Sequence, residues 1–212
     1  MSDSKLREQI ADFGASLFRR GLTFGVSGNI SLRVEDGWLM TPTGSSLGDL
    51  DPARISRLDH EANHVGGDPP TKEALLHTSF YQSRPKARAI VHLHSTHSVA
   101  VSCLHGIDRD NVLPPLTAYY VMRIGQLPLV PYFPPGDINL AQAVQEMASK
   151  HHAVLLANHG PIVAGKSLAD AVYATEELEE TAKLFLLLKD RKSSPLTAEQ
   201  VAELKQKFPI QI

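Results

Sequence analysis

The run Ala89-Ile90-Val91-His92-Leu93-His94-Ser95 constrains this chain more than any other stretch. Apolar and β-branched residues around two histidines read as a buried strand, and side chains two apart on a strand leave the same face. Any fold built on that strand turns two imidazoles into one space, as a divalent ion requires. Leu155-Leu156-Ala157-Asn158-His159-Gly160 repeats the theme, an apolar strand ending in a histidine, and Glu73 opens an expected helix upstream. Three imidazoles and a carboxylate suit a zinc-like ion acting as a Lewis acid, which makes catalysis the leading reading.

Bulk properties exclude several other classes. A chain of 212 residues fits one domain or two small ones and can bury a sizeable core. A net charge of -2 leaves no footprint for nucleic acid or an anionic membrane, and Arg19-Arg20 is too short to form a basic patch. No segment approaches the roughly 18 apolar residues of a membrane span, and the N-terminus lacks the apolar core of a signal peptide. A single cysteine rules out an internal disulfide framework and fits a reducing compartment, so the cytoplasm is expected. Cys103 lies in an apolar stretch and reads as a buried, inert thiol.

Periodicity supplies the elements. Leu6, Ile10, Phe13, Leu17 and Phe18 form one stripe over Lys5 to Arg20, with Gly21 as the stop, so this segment is an amphipathic helix. Residues 29–34 and 38–41 alternate around Glu35-Asp36-Gly37 as a hairpin. Thr71 is the expected N-cap of a helix to about Arg84, ended by Pro85. Further expectations are a strand at 89–95, a helix near 97–104, a strand from Leu127 to Phe133, and a helix to Lys150 capped by Asp137. Strands near 153–158 and 161–164 should lead into a long helix from Ser167 to Lys189, then a short helix in the tail. Hairpins mixed with helical crossovers imply an α/β fold, a mixed sheet covered by helices on both faces. No repeat or linker divides it, so residues 1–212 are expected to form one domain.

The remaining histidines do not share the strand pattern. His60 and His64 fall in a polar loop, His77 on a helix, and His105 before a turn glycine. His151-His152 should close a helix C-terminus, where a cation is welcome. His97 lies near the pair but beyond the expected strand end. Four protein ligands suggest a structural ion, whereas a catalytic one keeps a position open. Glu73 resolves the conflict if it leaves the metal when substrate enters and then handles a proton.

Two small, hydroxyl-rich turns flank the hairpin, Ser27-Gly28-Asn29 and Thr41-Pro42-Thr43-Gly44-Ser45-Ser46. Glycines let backbone N–H groups approach an anion, and hydroxyls add donors, although such turns often only reverse the chain. Thr71-Lys72 stands at a helix N-terminus, where the dipole favours anions. A lysine is slightly unfavourable there unless an anion sits beside it.

Taken together, Ser-Gly-Asn, Thr-Pro-Thr-Gly, Pro-Thr-Lys-Glu, His-Leu-His-Ser and Ala-Asn-His-Gly, in this order, resemble the class II aldolase/adducin family, over about residues 5 to 190. The resemblance implies a three-layer α/β/α sandwich and a homotetramer with sites near subunit interfaces. It implies metal ligation by Glu73, His92, His94 and His159, with Zn2+, or Mn2+ or Co2+ in its place. It implies phosphate binding by Gly28, Asn29, Thr43, Gly44, Thr71 and Lys72, and a sugar acid phosphate as substrate. The family's sugar-phosphate aldolases carry two serines where this chain has Thr71-Lys72. That lysine, with Thr-Gly-Ser, Val121-Met122-Arg123 and the Glu176–Lys183 stretch, resembles the 3-oxo-tetronate 4-phosphate decarboxylase branch. Loss of carbon dioxide from such a β-keto acid leaves the enediolate of dihydroxyacetone phosphate, and Glu73 is expected to protonate carbon. Tyr119 or Tyr120 is a candidate phenol at an interface, with ordinary packing as the alternative. Rival readings are an aldolase or 4-epimerase of the same family and a non-catalytic adducin-like scaffold, against which the retained histidines argue.

Overall fold

The antiparallel pairing of β1 (Asn29–Val34) with β2 (Gly37–Met40) follows from the alternation in the sequence, in the register Leu32↔Leu39 and Val34↔Gly37. Residues 2–211 are described, in a computed structural model. Beyond β2 the sheet continues through β3 (Ser56–Leu58) and β4 (His64–Gly66), and on the other side of β1 through β5 (Ala89–His92). Next come β8 (Gly160–Gly165), β7 (Ala153–Leu156) and β6 (Leu129–Val130), giving the order β4-β3-β2-β1-β5-β8-β7-β6. Every pair is antiparallel except β6 with β7, so the eight-stranded sheet is mixed.

Helices cover both faces. On one side α2 (Ala74–Ser83) and α5 (Ile138–Ala148) enclose Met40, Ile90, Val154 and Ile162. On the other, α1 (Asp3–Arg19) and the start of α6 (Leu168–Leu188) bury Ile30, Leu32, Val91 and Leu93. That second face is completed by α3 (Thr96–Ser102) and α4 (Ala118–Arg123), packed with α6 against Leu155 and Val163. In the tail, α7 (Ala198–Lys207) lies on α4, started by a reciprocal cap between Thr197 and Gln200. Ile90 and Val91 thus serve opposite cores from adjacent positions, as strand alternation demands. The result is the three-layer α/β/α sandwich the sequence implies.

Several local expectations shift. Glu73, not Thr71, occupies the N-cap of α2, and the Thr71 hydroxyl instead accepts the Glu73 N–H at 3.3 Å. The strand at 89–95 ends at His92, and the strand near 153–158 ends at Leu156, so His94 and His159 sit in the chain just past strand ends. The stretch 127–133 keeps only Leu129 and Val130 in the sheet, bracketed by Pro128 and Pro131, which lack the N–H a ladder needs. Strands β3 and β4 and helix α4 have no counterpart in the sequence reading; three-residue strands are too short to show a period. His64 therefore stands on an exposed edge strand rather than in a loop.

Two burial expectations are reversed. Cys103 is exposed, because α3 ends there and turns its C-cap residue to the surface. His152 is buried rather than a cation at a helix end: burial pushes it down to about 4, and its Nε2 lies 2.8 Å from the Arg123 carbonyl. A neutral imidazole donates that bond.

Candidate metal centre

Strand β5 lies between β1 and β8, and His92 pairs with Asn29 on one side and Ile162 on the other. His94 leaves the strand end on the same face. Its ring centroid is 5.0 Å from that of His92 and 4.7 Å from that of His159. His159 arrives from the tight β7–β8 turn, where Asn158 adopts a φ of +57° and Gly160 one of +154°. A Cβ on Gly160 would stand 2.2 Å from the Leu93 carbonyl oxygen, so only glycine lets this turn close against the His92-Leu93-His94 segment. Glu73 completes the group from the start of α2.

The ligand atoms of Glu73, His92, His94 and His159 all lie within 4.8 Å of one another. His92 Nε2 is 3.1 Å from His94 Nε2 and 3.3 Å from His159 Nε2. Glu73 places Oε2 3.3 Å from His92 Nε2 and Oε1 3.3 Å from His159 Nε2. A tetrahedral ion with bonds of about 2.0–2.1 Å spaces its ligand atoms about 3.3 Å apart, so the cluster has the right size for one. His92 Nδ1 lies 2.8 Å from the Pro161 carbonyl, which accepts only a proton on that nitrogen and leaves Nε2 as a bare lone pair. Glu73 Oε1 is buried with no hydrogen-bond partner among the described residues. An unsatisfied carboxylate oxygen and a free imidazole lone pair aimed at one point fit a divalent cation.

Electrostatics agree. Burial lowers the pKa of His92, with Glu73 opposing and His94 adding to the fall; burial and then His159 lower that of His94. Burial, and His92 after it, bring His159 down to about 4. The imidazoles are therefore neutral at pH 7, the form that ligates. Burial alone would raise the Glu73 carboxyl, but in the acid range, where the imidazoles are charged, His92, the Asn29 amide, His159 and His77 outweigh it and hold it down to about 2. Glu73 is an anion here, whereas direct delivery of a proton requires a protonated carboxyl.

The other candidate residues divide. Asn29 gives its amide N–H to Glu73 Oε2 at 2.8 Å, while its carbonyl faces His77 Nε2 at 2.5 Å, so both ends of the side chain are engaged. Gly28 has a φ of +80°, and a Cβ there would lie 3.0 Å from the His92 carbonyl oxygen. The Thr43-Gly44 turn is tied to the segment before Glu73: the Thr43 N–H reaches the Pro69 carbonyl at 2.9 Å, and the Thr71 N–H reaches the Thr41 carbonyl at 3.1 Å. Thr41 in turn accepts the Ile30 N–H on its hydroxyl. The three turns thus share one end of the hairpin. Thr43 and Gly44 nevertheless line their own hollow of about 210 Å3, while His94 and His159 open into a cavity of about 540 Å3 with Phe24, Tyr132 and Phe133. Thr71 is buried and Lys72 exposed. Tyr119 is exposed, while Tyr120 is buried, its hydroxyl without a partner among the described residues. His97 stays outside the cluster, bound to Glu179 at 2.7 Å. His77 lies on a helix as the sequence implies, and its spacing of four from Glu73 is the signal that places both on one side of α2, beside the cluster.

The sequence profile of the class II aldolase and adducin N-terminal domain matches residues 8–186. The chain belongs to this family. It is 50% identical over 204 residues, 96% of each chain, to the 3-oxo-tetronate 4-phosphate decarboxylase of Escherichia coli strain K12. It is 34% identical over 212 residues to the L-fuculose phosphate aldolase of the same strain, covering 98% of this chain and 96% of the aldolase. Among solved structures, YgbL of Escherichia coli superposes with a TM-score of 0.94 at 49% identity, over 96% of this chain and 99% of YgbL. No helix among the described residues is long and apolar enough to cross a membrane.

Proposed function

We propose that this class II aldolase family member is a metal-dependent carboxy-lyase, converting a 3-oxo-tetronate 4-phosphate to dihydroxyacetone phosphate and carbon dioxide in sugar acid catabolism. The observation that carries this reading is that relatives half identical over 96% of the chain are named for that reaction. The Glu73, His92, His94 and His159 cluster supports it with a metal-sized set of donors, read here as a Zn2+ site that Mn2+ or Co2+ also fits. When bound, the ion supplies Lewis-acid stabilisation of the negative charge that builds on the substrate's ketone oxygen as carbon dioxide leaves.

The chain's own residues do the rest. Asn29 holds the Glu73 carboxylate in place, and the neutral imidazoles keep their lone pairs free. Glu73, anionic at rest, takes up a proton from solvent water and delivers it to the carbon that lost carbon dioxide, so that one solvent proton replaces the carboxylate. Gly28, Thr43, Gly44, Thr71 and Lys72 are assigned to the substrate's anionic groups; Lys72 contributes the positive charge immediately before α2. Phe24, Tyr132 and Phe133 line the cavity into which His94 and His159 open. Tyr119, the exposed member of the tyrosine pair, is the one free to meet a neighbouring subunit. A homotetramer with residues 1–212 as its repeating unit, working in the cytoplasm, completes the reading.

The test is direct. Zinc-loaded protein given both stereochemical forms of the substrate should release carbon dioxide and dihydroxyacetone phosphate; metal-loaded, folded protein inert toward both sinks the proposal. The 34%-identical aldolase motivates one alternative, aldol cleavage. Dihydroxyacetone phosphate with lactaldehyde should condense under that alternative and stay unchanged under the decarboxylase reading.

A further inference from the structure

A chain of buried hydrogen bonds runs from β1 and α2 to the back of Glu73, and His77 stands at its centre. His77 is fully buried one helical turn after Glu73. Its Nδ1 lies 2.7 Å from the Ser31 hydroxyl, which lies 3.0 Å from the Tyr81 hydroxyl. Its Nε2 faces the Asn29 carbonyl, and the Asn29 amide N–H meets Glu73 Oε2. The proton positions follow from one fact: a carboxylate only accepts. The Asn29 edge facing Glu73 must therefore be its NH2, so the edge facing His77 is its carbonyl, and His77 must carry its proton on Nε2. His77 Nδ1 is then an acceptor for the Ser31 hydroxyl, while the Tyr81 hydroxyl lies between that oxygen at 3.0 Å and the Ser31 carbonyl at 3.1 Å, to which it donates. From the Ser31 hydroxyl through His77 and Asn29 each donor points toward Glu73, an arrangement in which each bond polarises the next.

On the reading of Glu73 as a metal ligand, we propose that His77 is a positioning residue. As the Nε2–H tautomer it locks the Asn29 amide in the one orientation that donates to Glu73 Oε2, leaving Oε1 bare for the ion. Without that bond the far end of the Asn29 amide has no anchor, the side chain is free to swing away from the carboxylate, and the proposed ligand loses its support. Outer partners of metal ligands typically govern affinity by about 10–100-fold.

Two substitutions separate positioning from packing. In His77→Gln the longer amide reaches Asn29 with an N–H donor, while in His77→Asn the shorter one keeps a partner for Ser31 but falls short of Asn29. Zn2+ affinity, measured by competition with a chromogenic chelator, should drop about 10–100-fold in His77→Asn and recover most of the loss in His77→Gln. Equal affinities in both variants and the wild type, with only melting temperature changed, overturn the proposal. In the wild type, nitrogen NMR of the imidazole should show the proton on Nε2; a proton on Nδ1 overturns it whether or not either variant folds. Neither readout uses turnover. Protein that binds zinc as stated yet leaves the tetronate untouched removes the decarboxylase reading and leaves this one standing.

Discussion

Replacing Gly160 with alanine should dismantle the metal cluster without touching a ligand. The added Cβ would lie 2.2 Å from the Leu93 carbonyl oxygen and 3.3 Å from His94 Cα. Carbon–oxygen contacts settle at about 3.3 Å or more, so the β5 and β8 segments must part by about 1 Å. The φ of +154° adds backbone strain of about 1–3 kcal/mol for a residue with a side chain, and the overpacking adds a similar amount. Together the loss in stability is about 2–6 kcal/mol. Gly160 follows His159 directly and presses on the backbone between Leu93 and His94, so the displacement falls on two of the proposed ligands at once. Metal bonds tolerate only about 0.2 Å, and a 1 Å shift should weaken Zn2+ binding at least about 100-fold. Chelator competition and calorimetry measure both effects. Gly106→Ala is the control: its φ is +74°, but a Cβ there meets nothing within 4 Å, so it should lose about 1 kcal/mol and no metal affinity. Gly160→Ala protein that melts and binds zinc like the wild type would refute the reasoning.

Further outcomes follow from the same geometry. His92→Ala should lose bound metal and turnover together, whereas Glu73→Gln should keep more metal than activity; metal analysis beside a carbon dioxide assay separates them, and equal losses in both would argue against a proton role for Glu73. Acid should destabilise the fold through His152, whose folded value of about 4 lies below the ordinary 6.5. Stability is therefore complete above about pH 6.5 and lost as pH falls toward about 4. The loss from this one group between pH 7 and 5 is about 2 kcal/mol, and denaturant titrations should show that much less acid sensitivity in His152→Gln. Removing metal with a chelator should lower the melting temperature and restoring Zn2+ should raise it; at a hundred times the dissociation constant the ion stabilises by about 2.7 kcal/mol. An unchanged melting curve would speak against any ion at the cluster.

What was legible in the sequence is local or periodic. The stripe from Leu6 to Phe18 announced α1, Asp137 announced α5 as its cap, and the alternation at 29–34 and 38–41 announced the hairpin, because each signal lies within a few residues of the structure it sets. The two-residue spacing of His92 and His94 showed their shared face for the same reason, even though the strand stops at His92. Tertiary packing decided the rest. Cys103 emerged on the surface and His152 in the interior, although local composition suggested the reverse, because burial depends on which layer covers a residue. Tyr119 and Tyr120 are neighbours in sequence, and only the placement of α4 exposes one and encloses the other. The engagement of Asn29 by Glu73 and His77 spans 44 and 48 residues, and such a contact exists only once β1 and α2 have packed together.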